Sequence, residues 1–225
     1  MNEKETHPLT KPIKTILFDF DGTLFDTNEL IVRTFQHVLD KYHPGEYTEE
    51  DILPFLGPPL IDTFKKINPE NYEELVAEYR RWNIEHHDDY AKEFDGVSDT
   101  LFALKERGLD LAVVSTKRRD VLDKGVNQLR GRYTFSEVIS LDDVEHAKPH
   151  PEPLQKAMTA LGADPETTIM VGDNSHDIEG GQNAGVRTVG VKWSLKGEEF
   201  LRQFNPDYMI DDIRDILTIV DEANA

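Results

Sequence analysis

Two carboxylates separated by a single residue, in the sequence Asp19-Phe20-Asp21-Gly22-Thr23, carry the strongest chemical signal in the chain. They close an apolar run. In an extended strand, side chains two residues apart point the same way, so both acids are predicted to face one pocket. Like charges this close are costly unless a cation or a proton lies between them. Mg²⁺ prefers oxygen ligands and suits a site that also holds phosphate, so it is the natural partner. The alternative is a strand that runs into a solvated Asp-Gly turn.

A second acidic pair, Asp173 and Asp177, lies in the sequence GDNSHD after another apolar run. If a helix begins there, residues four apart share one face. The two carboxylates could then bind a metal, directly and through water. The competing interpretation is that Asp173 or Asn174 only caps the helix.

Two further segments offer groups that could bind an anion. Lys148, in the sequence AKPHP, carries a compact positive charge that suits phosphate. Prolines near it restrict the backbone, although a solvated loop lysine is the alternative. Ser115 and Thr116 end a buried apolar run, where their hydroxyls could donate to a phosphate oxygen or cap a helix that starts near Lys117.

The elements that must position these residues follow from four apolar runs rich in β-branched residues. Each run precedes a polar, helix-compatible stretch, a pattern typical of βα units around a parallel sheet buried on both faces. Ligands gather at the carboxyl ends of strands in such sheets, so Asp19, Ser115 and Asp173 are expected to converge. The predicted fold class is a doubly wound, Rossmann-like α/β core. The runs span residues 15–20, 109–115, 167–172 and 186–191, and a weaker run spans 138–141.

Residues 27–94 differ from the rest because they show helical spacing without strand alternation, interrupted by Pro54, Pro58 and Pro59. We interpret them as a small all-helical domain inserted after the first strand. Residues 1–26 and 95–225 then form the α/β core. The first ten residues are expected to be disordered.

The formal net charge of -19 and the lack of cysteine exclude several classes of protein. A surface this acidic repels nucleic acid and anionic membranes, so neither is an expected partner. Without cysteine, disulfides and zinc–thiolate sites are excluded. No secretion signal is visible and no apolar run reaches the ~18 residues of a membrane helix, so a cytoplasmic location is expected. Local positive charge or a metal must offset the acidic field wherever phosphate binds.

Taken together, the four motifs resemble those of the haloacid dehalogenase-like phosphatases, over essentially the whole chain. The resemblance implies that family's fold, with a helical cap inserted after the first motif, and Mg²⁺ as cofactor. It implies that Asp19 is the nucleophile that forms an aspartyl-phosphate. Asp21 is then the general acid/base and binds Mg²⁺ through its backbone carbonyl. The other implied roles are phosphoryl-group contacts for Ser115, the Thr116 amide and Lys148, and Mg²⁺ ligation for Asp19, Asp173 and Asp177.

Within that family, four stretches resemble bacterial pyrophosphatases, and two of them lie in the helical segment: residues 28–30, 51–60, 141–153 and 171–177. Inorganic pyrophosphate is therefore the expected substrate, and a monomer is the expected state. Substrate contacts are expected from a cap loop at Gly57, from Arg80 on a long helix, and from Lys117 and Arg118 after the second motif. Each has a plainer interpretation: a simple turn, an ion pair with a neighbouring glutamate, or a solvated basic helix face.

Three alternative functions stay open. Phosphoglycolate is the next candidate substrate, because phosphatases acting on it share the motifs and the cap type. A phosphomutase resembling β-phosphoglucomutase would return the phosphoryl group to a sugar instead of water. A non-catalytic binding protein on the same fold is disfavoured, because the nucleophile Asp19 and Lys148 are both present.

Overall fold

A computed structural model describes residues 11–225, so the disorder expected for the first ten residues lies outside the described part of the chain. Within that part the strands are β1 (Thr15–Phe18), β2 (Phe25–Asp26), β3 (Lys92–Glu93), β4 (Asp110–Val114), β5 (Phe135–Ile139), β6 (Thr168–Gly172), β7 (Arg187–Val191) and β8 (Tyr208–Ile210). A 6-stranded sheet has the order β5-β4-β1-β6-β7-β8, and all its neighbouring strands are parallel.

Helices cover both faces of this sheet. The helices are α1 (Asn28–Tyr42), α2 (Glu49–Ile52), α3 (Leu60–Ile67), α4 (Tyr72–Tyr90), α5 (Val97–Glu106), α6 (Arg119–Gln128), α7 (Glu152–Leu161), α8 (Ser175–Ala184), α9 (Glu198–Arg202) and α10 (Asp215–Ala223). Apolar residues of α5, α6 and α10 pack in one hydrophobic cluster with the sheet, and those of α7 and α8 pack in another.

The central strands are buried along their whole length because both faces are covered. On β1, Ile16 and Phe18 contribute to the first cluster and Leu17 to the second, as the two-residue repeat of a strand requires. The predicted doubly wound α/β fold class is confirmed. The four main apolar runs correspond to β1, β4, β6 and β7.

The edges of the sheet depart from the sequence prediction. Strand β5 begins at Phe135, three residues before the predicted run at 138–141. The sequence pattern missed its start because this edge strand leaves Ser136 exposed and Glu137 partly exposed, so no apolar run marks it. Strand β8, at the opposite edge, was not predicted. It has 3 residues, too few to produce a recognisable pattern.

The segment between β2 and β3 contains helices α1 to α4, and these share a hydrophobic cluster separate from the two around the sheet. Phe35, Phe64 and Tyr79 form its aromatic centre, with ring centroids between 4.9 and 6.0 Å apart. Strands β2 and β3 pair antiparallel where the chain leaves and re-enters the α/β part. Strand β3 lies inside the stretch expected to be purely helical, since two residues are too few to create alternation.

None of the described helices is long and apolar enough to cross a membrane.

Replacement of Phe64 by alanine should destabilise the protein by about 3–5 kcal/mol, because it leaves a cavity in the helical cluster. The ring is fully buried, whereas Phe102 on α5 is 41% exposed. The matched variant Phe102→Ala should therefore change the unfolding free energy by less than ~0.5 kcal/mol. Urea unfolding followed by circular dichroism measures both, and equal losses would contradict the assignment of Phe64 to a packed core.

Candidate active site

The predicted motif residues converge at the carboxyl edge of the sheet. Asp19, Ser115 and Asp173 directly follow β1, β4 and β6, which are adjacent strands in the order β4-β1-β6. Lys148, from the loop before α7, lines the same cavity of about 160 Å³. The sheet topology thus brings together groups that lie far apart in the sequence.

Lys148 connects several groups of this cavity and is only 3% exposed. Its Nζ donates to Asp19 Oδ1 at 2.7 Å, to Asp177 Oδ1 at 2.6 Å and to the carbonyl oxygen of Val114 at 2.6 Å. Burial alone would lower the pKa of Lys148, but the charges of Asp177 and Asp19 outweigh burial and raise it. The lysine is therefore charged, and it is not the solvated loop residue of the alternative interpretation.

Three buried carboxylates surround this one ammonium group. Asp19, Asp173 and Asp177 each offer an oxygen within 4.8 Å of the others. Burial raises the pKa of Asp19 to about 7 despite the neighbouring Lys148. Burial, followed by the charges of Asp177 and Asp19, raises the pKa of Asp173 well above its usual range. The pocket therefore brings together more acidic groups than its one lysine can pair with.

This donor set fits a divalent cation. Within the described chain, neither Asp19 Oδ2 nor the Asp173 carboxylate accepts a hydrogen bond, so these oxygens are free to act as ligands. Carboxylate oxygens are the ligands that hard cations prefer, and a bound cation would relieve the repulsion among the three acids. The cluster could accordingly hold a metal ion.

Two glycines allow the acids to come this close. Gly22 has φ of 77°, a conformation that disfavours other residues, and a Cβ there would collide with the Asp173 carboxylate. A Cβ on Gly172 would likewise collide with the Asp177 side chain. Asp177 also accepts a hydrogen bond through Oδ2 from the backbone N–H of Asn174, which precedes α8, at 3.0 Å. Asp177 therefore caps the start of α8 with one carboxylate oxygen and bonds Lys148 with the other.

Asp21 lines the cavity but lies outside the Lys148 cluster. Strand β1 ends at Phe18, so both acids of the first motif lie just beyond the strand, whereas the spacing argument treated them as part of it. Asp21 Oδ1 accepts hydrogen bonds from Lys117 Nζ and from Thr27 Oγ1, each at 2.6 Å. Lys117 is thereby an ion-pair partner of Asp21, a role that the sequence did not suggest.

The second motif adopts a turn and does not cap a helix directly. Helix α6 begins at Arg119, and Ser115 Oγ accepts the backbone N–H of Lys117 at 3.2 Å in the turn before it. Thr116 Oγ1 donates to the carbonyl oxygen of Gly57 at 3.1 Å. The proposed helix cap near Lys117 is therefore wrong, because the chain needs this turn to reach α6.

The loop at Gly57 closes the cavity from the side of the helical segment. The carbonyl oxygen of the preceding Leu56 accepts hydrogen bonds from Asn174 Nδ2 at 3.0 Å and from Lys196 Nζ at 2.8 Å. Sequence reasoning did not identify Lys196. It lies shortly after the carboxyl end of β7, so the rule that picked out the other site residues would also have marked this loop.

Two arginines line the far side of the cavity. Burial lowers the pKa of Arg80, and the positive charge of Arg118 lowers it further. Arg118 bonds Asp120 through Nη2 at 3.2 Å, while its buried Nε has no partner in the described chain. The alternative for Arg80, pairing with a nearby glutamate, is not observed. Arg81 takes that role, with contacts to Glu78 and Glu85.

Comparison with known proteins places this geometry in a family. The model of the haloacid dehalogenase-like hydrolases matches residues 16–191. A protein of Bacillus cereus (strain AH820) named pyrophosphatase PpaX is 49% identical over 212 residues, which cover 94% of this chain and 98% of the relative. Its namesake from Bacillus mycoides (strain KBAB4) is 49% identical over 213 residues, covering 95% of this chain and 99% of its own.

Solved structures with the same fold include other phosphatases and hydrolases. A protein of Haemophilus somnus described as a predicted phosphoglycolate phosphatase has a TM-score of 0.78 at 25% identity, covering 93% of this chain and 99% of its own. A haloacid dehalogenase-like family hydrolase of Streptococcus pneumoniae has a TM-score of 0.82 at 24% identity, covering 92% and 98% of the two chains, which supports the fold. The match to the family model spans most of the chain, and the chain belongs to the haloacid dehalogenase-like hydrolase family.

Proposed function

We propose that this protein is a Mg²⁺-dependent phosphohydrolase that hydrolyses inorganic pyrophosphate through an aspartyl-phosphate on Asp19. The contact that carries the proposal is the buried bond from Lys148 to Asp19 beside two further acids, at the edge where ligands of such sheets gather. The pyrophosphatase relatives, 49% identical over nearly the full chain, support the choice of substrate.

Asp19 is proposed to attack phosphorus through one oxygen of its carboxylate, which leaves the other oxygen for the metal. A carboxylate is a weak nucleophile, and a phosphate anion repels it. Lys148 holds Oδ1 at 2.7 Å and so fixes the carboxyl group while reducing that repulsion. The bond from phosphorus to the bridging oxygen breaks as the Asp19–phosphorus bond forms, and the second phosphate leaves. Covalent capture divides a difficult hydrolysis into two easier steps.

Asp21 is proposed as the general acid and base. It gives a proton to the leaving oxygen in the first step. In the second step it takes one from the water that attacks the aspartyl-phosphate, which restores Asp19 and releases phosphate. Lys117 and Thr27 hold this carboxyl at the cavity wall, apart from the group that attacks.

Mg²⁺ is proposed to bind Asp19, Asp173, Asp177 and the backbone carbonyl of Asp21, where it would offset the negative charge of the phosphoryl group. Ser115 Oγ and the Thr116 amide are proposed to donate to the phosphoryl oxygens from the opposite wall. Both groups belong to the turn after β4, so the rigid sheet fixes their position.

The distal phosphate of pyrophosphate is proposed to bind Arg80 and Arg118. Both side chains line the cavity, and Arg80 pairs with no carboxylate of the described chain, so its guanidinium is left to bind an anion. Lys117 forms an ion pair with Asp21, so it adds positive charge to the site but is not proposed to contact the substrate. We also propose that residues 27–94 form a cap domain over the core of residues 1–26 and 95–225.

Phosphoglycolate is the second candidate substrate, since one structural neighbour is described as a phosphatase for it. It carries a carboxylate where pyrophosphate carries a second phosphate, so the same two arginines would bind it less strongly. A substrate panel that measures phosphate release should rank pyrophosphate first. If phosphoglycolate ranks first, the choice of substrate fails while the class of reaction stands.

Asp19→Asn should lower turnover of pyrophosphate by roughly 10⁴-fold or more, because the amide cannot act as the nucleophile. Phosphate release measures the loss, and circular dichroism checks that the fold is retained. Asp110→Asn, at the start of β4 and away from the cavity, is the matched control and should keep wild-type activity. Near-normal turnover by Asp19→Asn would refute the covalent mechanism.

Removal of divalent ions should abolish hydrolysis, and added Mg²⁺ should restore it. Because the metal binds only the folded site, Mg²⁺ at about 100 times its dissociation constant should stabilise the protein by ~2.7 kcal/mol. Thermal unfolding with EDTA or Mg²⁺ measures this gain. Asp173→Asn should largely lose it while staying folded, and undiminished hydrolysis in EDTA would contradict a metal site.

Arg80→Ala should lower kcat/KM for pyrophosphate by about 10- to 100-fold, the usual effect of losing a charged hydrogen bond. Arg81→Ala is the matched control, since it removes the same charge from the adjacent position, which pairs with Glu78 outside the cavity. Equal effects of the two substitutions would show that Arg80 acts only through the net charge of the protein and not by contacting the substrate.

A further inference from the structure

The loop of residues 56–58, which we call the lid loop, is held against the α/β part by backbone contacts. The carbonyl oxygen of Leu56 accepts from Asn174 Nδ2 at 3.0 Å and from Lys196 Nζ at 2.8 Å. The carbonyl oxygen of Gly57 accepts from Thr116 Oγ1 at 3.1 Å. These donors follow three different strands, so the lid loop is attached to the same sheet edge that carries the catalytic groups.

The attachment depends on close approach. Gly57 has φ of 106°, and a Cβ at this position would lie 2.5 Å from Asn174 Nδ2. A side chain here would push the lid loop away from the donors that hold it. Glycine at this position is therefore more than a turn residue, because it lets the lid loop lie directly on the residue that follows Asp173.

Lys196 differs from the other cations of the site in its partners. It forms no ion pair with a carboxylate of the described chain, and its ammonium contacts Leu56 O and, at 3.4 Å, Asn174 Oδ1. It is also absent from the residues that line the cavity. Its direct contacts thus suit it to hold the lid loop and not to bind substrate, although its charge also acts on Asp173 and Asp177.

The lid loop forms part of the cavity wall. Leu56, Gly57 and Pro58 all line the cavity that contains Asp19 and Asp173. A closed lid excludes bulk water and limits the size of the group attached to the phosphate. A compact anion fits beneath it, whereas a bulky ester requires the loop to move away.

We propose that Lys196 is a positioning residue that latches the lid loop over the phosphate pocket and so makes the enzyme selective for compact phosphates. The proposal rests on the phosphohydrolase function proposed above. It makes the backbone carbonyl of Leu56 the attachment point, so the latch does not depend on any side chain of the lid loop.

Kinetics with substrates of two sizes test the latch. Lys196→Met keeps the length of the side chain and removes the charge. It should lower kcat/KM for pyrophosphate about tenfold, the order expected for one charged hydrogen bond. Activity toward p-nitrophenyl phosphate, whose ring requires an open lid, should stay unchanged or rise. Lys196→Arg should retain more pyrophosphate activity than Lys196→Met. Equal losses for both substrates, or no loss for pyrophosphate, would overturn the proposal.

Lys192→Met is the matched control, since Lys192 follows the same strand and pairs with Asp211 away from the lid loop. Hydrogen exchange followed by mass spectrometry supplies a readout that needs no substrate. Peptides spanning residues 53–60 should exchange faster in Lys196→Met and at the wild-type rate in Lys192→Met. Unchanged exchange in Lys196→Met would overturn the latch. If the wild type fails to hydrolyse pyrophosphate, only the proposed substrate falls, and the exchange result still decides the latch.

Discussion

The buried ammonium of Lys148 is the contact on which the arrangement of the site depends. It bonds Asp19 after β1, the carbonyl oxygen of Val114 at the end of β4, and Asp177 on α8. Three elements are thus fixed relative to one another by one charged group that water scarcely reaches. Breaking such a buried set from one side leaves uncompensated charge, so the geometry is strongly enforced. Lys148 cannot pair with all three acids of the pocket, which is the reason that the pocket suits a cation.

Positive charge is concentrated locally against an acidic background. The chain carries a net charge of -19, yet Lys117, Lys148, Arg80 and Arg118 all line one cavity. These cations differ in their partners. Lys117 and Lys148 form ion pairs with acids of the cavity, whereas Arg80 has no carboxylate partner in the described chain. A small, highly charged anion therefore meets cationic side chains in this cavity, although the chain as a whole is acidic.

The sequence predicted the residues that meet at the sheet edge, because burial of parallel strands and the position of their carboxyl ends follow from simple patterns. It did not predict which side chains would contact each other. Lys117 contacts Asp21, and Lys196 contacts the carbonyl oxygen of Leu56, 140 residues earlier in the chain. Such contacts depend on how loops fold over the sheet, and no periodicity records them. Strands β2, β3 and β8 escaped prediction for a related reason, since two or three residues cannot establish a repeat.

The short ribbon of β2 and β3 has a consequence for how this architecture can diversify. Asp26 and Lys92 are paired neighbours, so the chain leaves and returns at nearly the same point although four helices intervene. The free energy of closing such an excursion grows only slowly with its length. Insertions, deletions or wholesale exchange of the intervening helices would therefore strain the reaction centre little. Natural variation could reshape the choice of ligand there while the chemistry beneath stays the same.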